Sequence, residues 1–275
     1  MNFAGSVPEC EAHGECGLAV EKAKILAEFQ GATGVYNAGD KPVGERLMDD
    51  IMQGNLEGVE RLLASDPSSI AYANYDGQTP LGTAAHWGKD DALNVLLEAK
   101  GDPNAQNAKG MAPLHHLVCD HIADDHPFLA AMMRCAMSLA EAKADLSLPD
   151  EDASTVLELA LEEEAFAMAG CLLGLKADPN GEAGAGGSLL HAATTAKQAE
   201  AVGLLLEHKA DASKPSGKSG MTPLHLAARS GATAIVKRLL DANADTSALD
   251  AQGKTPLQLA GAAKRQAAAD LLAGA

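Results

Sequence analysis

The chain has 275 residues, of which 47% are hydrophobic but only 3% aromatic, so it can bury a sizeable core, and that core should consist of closely packed helices rich in Ala and Leu. Acidic residues outnumber Lys and Arg by 38 to 21, which gives a formal net charge of −17. A field of this sign repels phosphate backbones and anionic lipid headgroups, so the composition argues against nucleic acid and membrane surfaces as partners.

The N-terminal 42 residues form a segment distinct from the rest of the chain. They lack the basic and apolar regions of a signal peptide, and no apolar run in the chain approaches the roughly 20 residues needed to span a bilayer. Leu18 to Phe29 has the spacing of an amphipathic helix, and a Gly-rich linker follows it. We expect residues 1–42 to be an extension that caps the first structural unit or, as the alternative, binds a partner.

The cysteines predict a reducing environment. They are five in number and irregularly spaced, which argues against a disulfide framework. Cys10, His13 and Cys16 offer metal ligands at a spacing of three, but a closed zinc site usually needs four ligands, so we predict no metal there. An intracellular location follows, with the cytoplasm as the first expectation and a nucleus or an organelle as alternatives.

A pattern with a period of about 33 residues runs through the rest of the chain. The tetrapeptides TPLG, APLH, TVLE, SLLH, TPLH and TPLQ begin at Thr79, Ala112, Thr155, Ser188, Thr222 and Thr255, at spacings of 33, 43, 33, 34 and 33 residues. A Gly two positions before most of these starts indicates a turn, and a second apolar helix follows in each unit. Each unit is therefore predicted to be a turn, a helix, a turn and a helix.

These strings resemble ankyrin repeats. DGQTPL with LLEAKGDPN, and SGMTPLHLAARSG with LLDANAD, are similar to the T-P-L-H-x-A signature and the period of that family. The resemblance implies an all-α ankyrin-repeat solenoid of about seven stacked helix-turn-helix units with short hairpin fingers. The ankyrin-repeat domain would be 43–275, with repeats at about 43–75, 76–108, 109–151, 152–184, 185–218, 219–251 and 252–275.

The resemblance also implies a structural task for the His of TPLH, which in this family forms hydrogen bonds to neighbouring groups. The chain keeps this residue at His115, His191 and His225, and it has Gly82, Glu158 and Gln258 at the same position of other repeats. We expect the repeat that contains Glu158 to be among those that depart most from the pattern.

The 43-residue unit contains an insertion near residues 121–131. The densest cluster of possible metal ligands in the chain lies beside it and consists of His115, His116, Cys119, His121 and His126. A metal-dependent enzyme or sensor that uses this cluster is the alternative to a binding function. Because His115 occupies the motif position, and no phosphate-loop, nucleophile-elbow or zinc-protease string occurs, we predict no catalytic residue, metal or cofactor.

The resemblance places partner-binding residues at the finger tips and at the ends of the first helices, on a concave face. These positions hold Tyr75, Asp76, Gln78, His86, Trp87, Lys109, Met111, Glu151, Asp152, Glu162, Glu163, Lys218, Met221 and Arg229. Trp87 is the single Trp and is typical of an interface anchor, although packing on the finger of its own repeat is the alternative.

The stretch 144–175 contains eight carboxylates and no Lys or Arg. It would attract a basic segment of a partner protein, unless it is simply a solvated acidic face. With no reactive constellation and a surface built from repeats, the sequence predicts a non-catalytic protein-protein interaction module that serves as an adaptor, a regulator or a subunit of a larger complex.

Overall fold

A computed structural model describes residues 41–118, 128–183 and 187–275.

The first helix of most repeats begins at a side-chain cap of the predicted kind. Thr79 Oγ1 accepts a hydrogen bond from the backbone N–H of Gly82 at 3.1 Å, and Thr155 Oγ1 accepts one from Glu158 at 3.3 Å. Pro80 follows Thr79 at the first helical position, where a backbone N–H would have no helical partner. The Thr-Pro pair therefore sets where the helix starts.

Thirteen α-helices lie in the described residues, and most repeats contribute a first and a second helix. They are α1 (Val43–Gln53), α2 (Leu56–Ser65), α3 (Pro80–His86), α4 (Asp90–Glu98), α5 (Leu129–Glu141), α6 (Val156–Glu162), α7 (Phe166–Gly174), α8 (Leu189–Ala196), α9 (Ala199–Glu207), α10 (Pro223–Ser230), α11 (Thr233–Asp241), α12 (Pro256–Ala262) and α13 (Gln266–Ala273). The all-α fold class is confirmed. No helix of these ranges is long and apolar enough to cross a bilayer.

The helices of Val43–Ala275 form two parallel rows in one compact unit. First helices pack on first helices, as α8 does on α10 and α10 on α12, while second helices pack on second helices from α4 through α5, α7, α9 and α11 to α13. Each repeat therefore contacts its neighbours along the chain, as a solenoid requires. The predicted N-terminal helix and Cys10, His13 and Cys16 lie outside the described residues.

The third repeat departs from this arrangement at its first helix. Its described part is a short 3-10 helix, His115–Leu117, and the chain is described again from Phe128, just before α5. Ala112 stands where other repeats have Thr or Ser, so it has no hydroxyl to cap a helix. Its N–H donates to His115 Nδ1 at 3.1 Å, as the equivalent N–H groups of Ser188 and Thr222 do to His191 and His225. Cys119, His121 and His126 lie outside the described residues.

Short fingers connect each second helix to the next first helix. In the finger of repeat 2, Asn74 Oδ1 accepts hydrogen bonds from the N–H groups of Asp76 and Gln78 at 3.0 and 2.9 Å. The finger of repeat 5 contains two antiparallel two-residue strands, β1 (Glu182–Ala183) and β2 (Gly187–Ser188). These turns are the hairpin fingers that the sequence predicts.

The Leu of the repeated tetrapeptide forms part of the hydrophobic core in most repeats. Leu81, Leu114, Leu157, Leu190 and Leu224 are each at most 2% exposed. Leu257, at the same position of the last repeat, is 39% exposed. A single repeat cannot bury its own apolar face, so stacking on a neighbour supplies the burial that stabilises each unit.

Candidate protein-interaction surface

Backbone hydrogen bonds join neighbouring finger tips of repeats 2, 3 and 4, and those of repeats 6 and 7. The N–H of Ala108 donates to the carbonyl oxygen of Asp76 at 2.8 Å, and the N–H of Glu151 donates to that of Lys109 at 3.0 Å. A third bond of the same kind joins Ala251 to Ser219 at 3.0 Å. Residues predicted from separate repeats are thus brought onto neighbouring fingers of one surface.

Finger residues of repeats 2 and 3 differ in exposure. Tyr75 is 95% exposed and presents its ring to solvent. Gln78 is half-buried, and its Oε1 accepts a hydrogen bond from Asn107 Nδ2 at 3.3 Å, which ties the two fingers together. Met111 is half-buried, while Lys109 is exposed. Of this group, Tyr75 and Lys109 are the side chains most accessible to a partner.

His86 and Trp87 lie at the end of the first helix of repeat 2, as predicted. Both are half-buried, and their rings meet edge to face with centroids 5.4 Å apart. His86 also makes an edge-to-face contact with His116 of repeat 3 at 6.1 Å. The three rings form an aromatic cluster across two repeats. Partial burial is compatible with both the anchor hypothesis for Trp87 and the packing alternative, so the anchor assignment stays a prediction.

The acidic residues concentrate on repeat 4. Glu151 and Asp152 are exposed on its finger, Glu162 is exposed at the end of α6, and Glu158, one turn earlier, is 4% exposed. Partial burial raises the pKa of the Glu162 carboxyl above its ordinary value, and the neighbouring carboxylates of Glu158, Glu163 and Asp150 raise it further. The local field thus disfavours additional negative charge and favours a cation.

Repeat 6 contributes the basic residues of the prediction. Lys218 is exposed on the finger, and Arg229 is exposed near the end of α10. Met221 is half-buried, and its carbonyl oxygen accepts a hydrogen bond from His191 Nε2 at 3.0 Å. The predicted surface therefore carries carboxylates on repeat 4 and cations on repeat 6.

Two hollows lie on this surface, one between a finger and a first helix and the other between two first helices. The larger, about 510 Å³, is bounded by the finger residues Ser216, Lys218 and Ser219 and by α8. The smaller, about 230 Å³, lies between α6 and α8 and includes Glu158 and Glu162. Ala192 and Ala196 of α8 line both hollows. We call the face that holds the finger tips, the ends of the first helices and the two hollows the groove face.

The groove face includes residues of repeat 5 that the sequence prediction missed. Thr195 and Ala196 are exposed at the end of α8, in the helix positions that His86 and Trp87 occupy in repeat 2. The positional rule used for the other repeats would have found them. The residue types themselves give no signal, because Thr and Ala are small and carry neither charge nor an aromatic ring.

The motif histidines have a structural task, as the family resemblance implies. His115 Nδ1 accepts a hydrogen bond from the N–H of Ala112 at 3.1 Å, and its Nε2 donates to the carbonyl oxygen of Leu148, in the next finger, at 3.1 Å. Burial lowers the pKa of His115, so the neutral ring is favoured. With both nitrogens engaged, this ring is not oriented as a metal ligand. Within the described parts of the chain, no three His, Cys, Asp or Glu side chains are grouped to hold a metal ion.

Sequence comparisons agree with this architecture. A family model described as "Ankyrin repeats (3 copies)" matches residues 168–250 and 189–275, and one described as "Ankyrin repeat" matches residues 76–108. Together these matches cover just over half of the chain. The chain belongs to the ankyrin-repeat family.

Known proteins similar to this chain are much longer than it. Rabankyrin-5 of Mus musculus is 30% identical over 187 residues, which are 66% of this chain and 15% of that protein. The neurogenic locus notch homolog protein 1 of Danio rerio is 33% identical over 186 residues, which are 63% of this chain and 7% of that protein. The chain thus spans less than a sixth of the length of either relative.

Solved ankyrin-repeat domains share the fold. The ankyrin repeat domain of Bcl-3, described as a unique member of the IkappaB protein family, superposes with a TM-score of 0.73 at 26% identity, covering 83% of this chain and 98% of that one. The human ASB11 ankyrin repeat domain gives a TM-score of 0.59 at 24% identity, with coverage of 82% and 96%. The ankyrin-repeat solenoid predicted from the sequence is confirmed.

Proposed function

We propose that this chain is a non-catalytic protein-protein interaction module whose groove face binds a partner protein. The proposal rests mainly on a contrast between equivalent positions. Buried positions repeat the same residue, as Leu81, Leu157 and Leu224 do, whereas the ends of the first helices, which are exposed or half-buried, change from repeat to repeat. These variable ends are His86 with Trp87, Glu162 with Glu163, Thr195 with Ala196, and Arg229 with Ser230.

Stacking explains the invariant positions, and recognition explains the variable ones. A buried Leu at the same place in each repeat maintains the spacing between neighbouring helices. The exposed positions contribute little to that spacing, so their chemistry is free to match a ligand. Ankyrin repeats are generally protein-interaction modules, which is consistent with a role as an adaptor, a regulator or a subunit of a larger complex.

We further propose that the partner carries a basic segment that approaches repeat 4. Glu162 and Glu163 lie at the end of α6 beside the buried Glu158. The raised pKa of Glu162 reflects partial burial first and the repulsion among these carboxylates second. A Lys or Arg placed there would relieve the repulsion and would be steered by the acidic field.

A reducing, cytoplasmic location is likewise a proposal and rests on the irregular cysteines of the sequence.

The test is affinity capture with the full chain as bait, followed by mass spectrometry and kinetics on the recovered partner. Replacing Glu162 and Glu163 with Gln should slow association, and the loss should shrink in about 1 M salt, where the Debye length is about 3 Å. The matched control replaces Glu57 and Glu60, two exposed residues of α2, and removes the same charge away from repeat 4. Equal effects of the two double variants would contradict the proposed surface.

A further inference from the structure

The two hollows of the groove face are separated by an unusually low ridge. The first helix of repeat 5, α8, presents Ala192 and Ala196 between them. The same two helix positions hold Leu159 and Glu163 in repeat 4, and Leu226 and Ser230 in repeat 6. Repeat 5 is therefore a notch between two bulkier neighbours, and we use "repeat 5 notch" for the groove at Ala192 and Ala196 with its two hollows.

The floor of the notch is apolar and open to solvent. Ala192 is half-buried and Ala196 is exposed, so methyl groups of both remain accessible. Leu161 and Leu189 line the smaller hollow, and Leu226 lines the larger one. A bulky apolar side chain that entered the notch would bury this surface at roughly 25 cal/mol per Å². Hollows of about 510 and 230 Å³ leave room for such a side chain.

The two ends of the notch carry opposite charges. On the repeat 4 side, the exposed Glu162 lines the smaller hollow beside the buried Glu158. On the repeat 6 side, the larger hollow is lined by Lys218 together with Ser216 and Ser219. A ligand that lies across α8 therefore meets anions at one end and a cation with hydroxyl donors at the other.

We propose that the repeat 5 notch binds an extended segment of a partner protein that has a bulky apolar side chain between a Lys or Arg and an Asp or Glu. The apolar side chain lies on Ala192 and Ala196, the basic residue faces Glu162, and the acidic residue faces Lys218. This deepens the proposed function, on which it rests, by specifying the chemistry of the bound segment. Complementary charge at both ends fixes the direction in which the segment lies.

The test uses a phage-displayed library of random peptides of about 12 residues, enough to cross three repeats in extended form, with the immobilised full chain as the target. Enriched sequences should share an apolar residue of Leu size or larger, with Lys or Arg on one side and Asp or Glu on the other, always in the same order. An enriched set without this pattern overturns the proposal. Failure to enrich any peptide overturns it as well.

Filling the notch tests whether the enriched peptides bind there. In fluorescence polarisation with a synthetic enriched peptide, Ala196→Leu and Ala192→Leu should each raise the Kd at least 10-fold. Both should fold, because Ala196 is exposed and repeats 4 and 6 already carry Leu at the position of Ala192. The matched control is Ala262→Leu, an exposed position at the end of α12 outside the notch, which should leave the Kd within about 2-fold.

Charge pairing is tested by substituting a residue of the peptide and a residue of the chain, singly and together. Replacing the basic residue of the peptide with Gln should weaken binding to the wild-type chain at least 5-fold, and the same replacement should have a smaller effect on the Glu162→Gln variant. If peptides bind with unchanged affinity to Ala196→Leu but not to a Tyr75→Ala, Trp87→Ala double variant, the notch assignment fails while the proposed function stands. If they bind equally to all of these variants, both proposals fail.

Discussion

His191 Nε2 donates a hydrogen bond to the main-chain carbonyl oxygen of Met221 at 3.0 Å, so a side chain of repeat 5 holds the finger of repeat 6. At the same time, His191 Nδ1 accepts from the N–H of Ser188 at 3.1 Å and caps the start of α8. His225 joins Thr222 to Lys254 in the same way, at 3.1 and 3.0 Å. One ring thus stabilises a helix end and the contact between two repeats.

Two substitutions at His191 should separate these tasks. In the last repeat, Gln258 Oε1 accepts from the N–H of Thr255 at 3.0 Å, which shows that Gln can cap the helix start. We expect His191→Gln to lower the free energy of unfolding by about 1 kcal/mol through loss of the inter-repeat bond, and His191→Ala to lower it by about 2–3 kcal/mol because buried polar groups lose both bonds. Urea unfolding measures the free energy of unfolding of both variants. Equal losses would contradict the separation of helix capping from the inter-repeat hydrogen bond.

Stability should fall as the solution becomes mildly acidic. Burial lowers the pKa of both His115 and His191 below the ordinary value of 6.5, so the unfolded chain binds protons more readily than the folded chain. Their contribution is fully present above about pH 6.5 and is lost as the pH falls from there through the lowered values. The melting temperature at about pH 5.5 should therefore lie below that at about pH 7.5.

The matched control for this pH dependence is the double variant His115→Gln, His191→Gln. Gln does not titrate, so the double variant should start from a lower melting temperature but show a shallower decline between the two pH values. If the wild type and the double variant decline in parallel, other groups are responsible for the pH dependence.

A pair of opposite substitutions should show how much the finger turns depend on backbone conformation. Gly77, Gly110 and Gly253 occupy equivalent turn positions with φ of 74°, 70° and 73°, and repeat 4 has Ala153 there at φ 65°. We expect Ala153→Gly to raise the free energy of unfolding and Gly253→Ala to lower it, each by about 1 kcal/mol. A Cβ at Gly253 would meet nothing within 4 Å, so a loss of stability in Gly253→Ala would reflect the backbone conformation and not a steric clash.

Thermal or urea unfolding of these two variants provides the measurement. A stabilising effect of Gly253→Ala, or a destabilising effect of Ala153→Gly, would show that the entropy of the unfolded chain outweighs the left-handed conformation at that turn.

The regular part of the fold could be predicted because each repeat restates the same local rules. Thr79 and Thr155 cap helices where the tetrapeptides begin, and Leu81 and its equivalents are buried as the pattern predicts. The third repeat was less predictable. The repeat pattern predicts a helix start at Ala112, but this residue has no hydroxyl, and the described chain there forms a 3-10 helix from His115.

The site was harder to predict than the fold because its shape depends on what is missing at particular positions. Lys218 and Glu162 could be found as exposed charges on single repeats. The repeat 5 notch exists because Ala192 is smaller than its equivalents Leu159 and Leu226, and Ala196 is smaller than Glu163. This difference matters only when the repeats are stacked. A small apolar residue such as Ala carries no chemical group from which a binding site can be predicted in a sequence.

Trp87 provides the sharpest test of the groove face. It is half-buried, beside the His86 ring and on the same face as the fully exposed Tyr75. If Trp87 is an anchor, Trp87→Ala should weaken binding of the captured partner by about 2 kcal/mol, roughly 30-fold, with little change in salt dependence, because the lost contact is apolar.

The stability of the Trp87→Ala variant decides between the anchor and the packing alternative. A half-buried side chain at a helix end should cost little on removal, whereas the control Leu81→Ala removes a side chain that is 1% exposed and should cost about 2–5 kcal/mol. If Trp87→Ala lowers the melting temperature as strongly as Leu81→Ala while the affinity for the partner is unchanged, Trp87 belongs to the core. The binding surface would then have to be sought on repeats 4 to 6, where neither the carboxylates nor the notch depends on this ring.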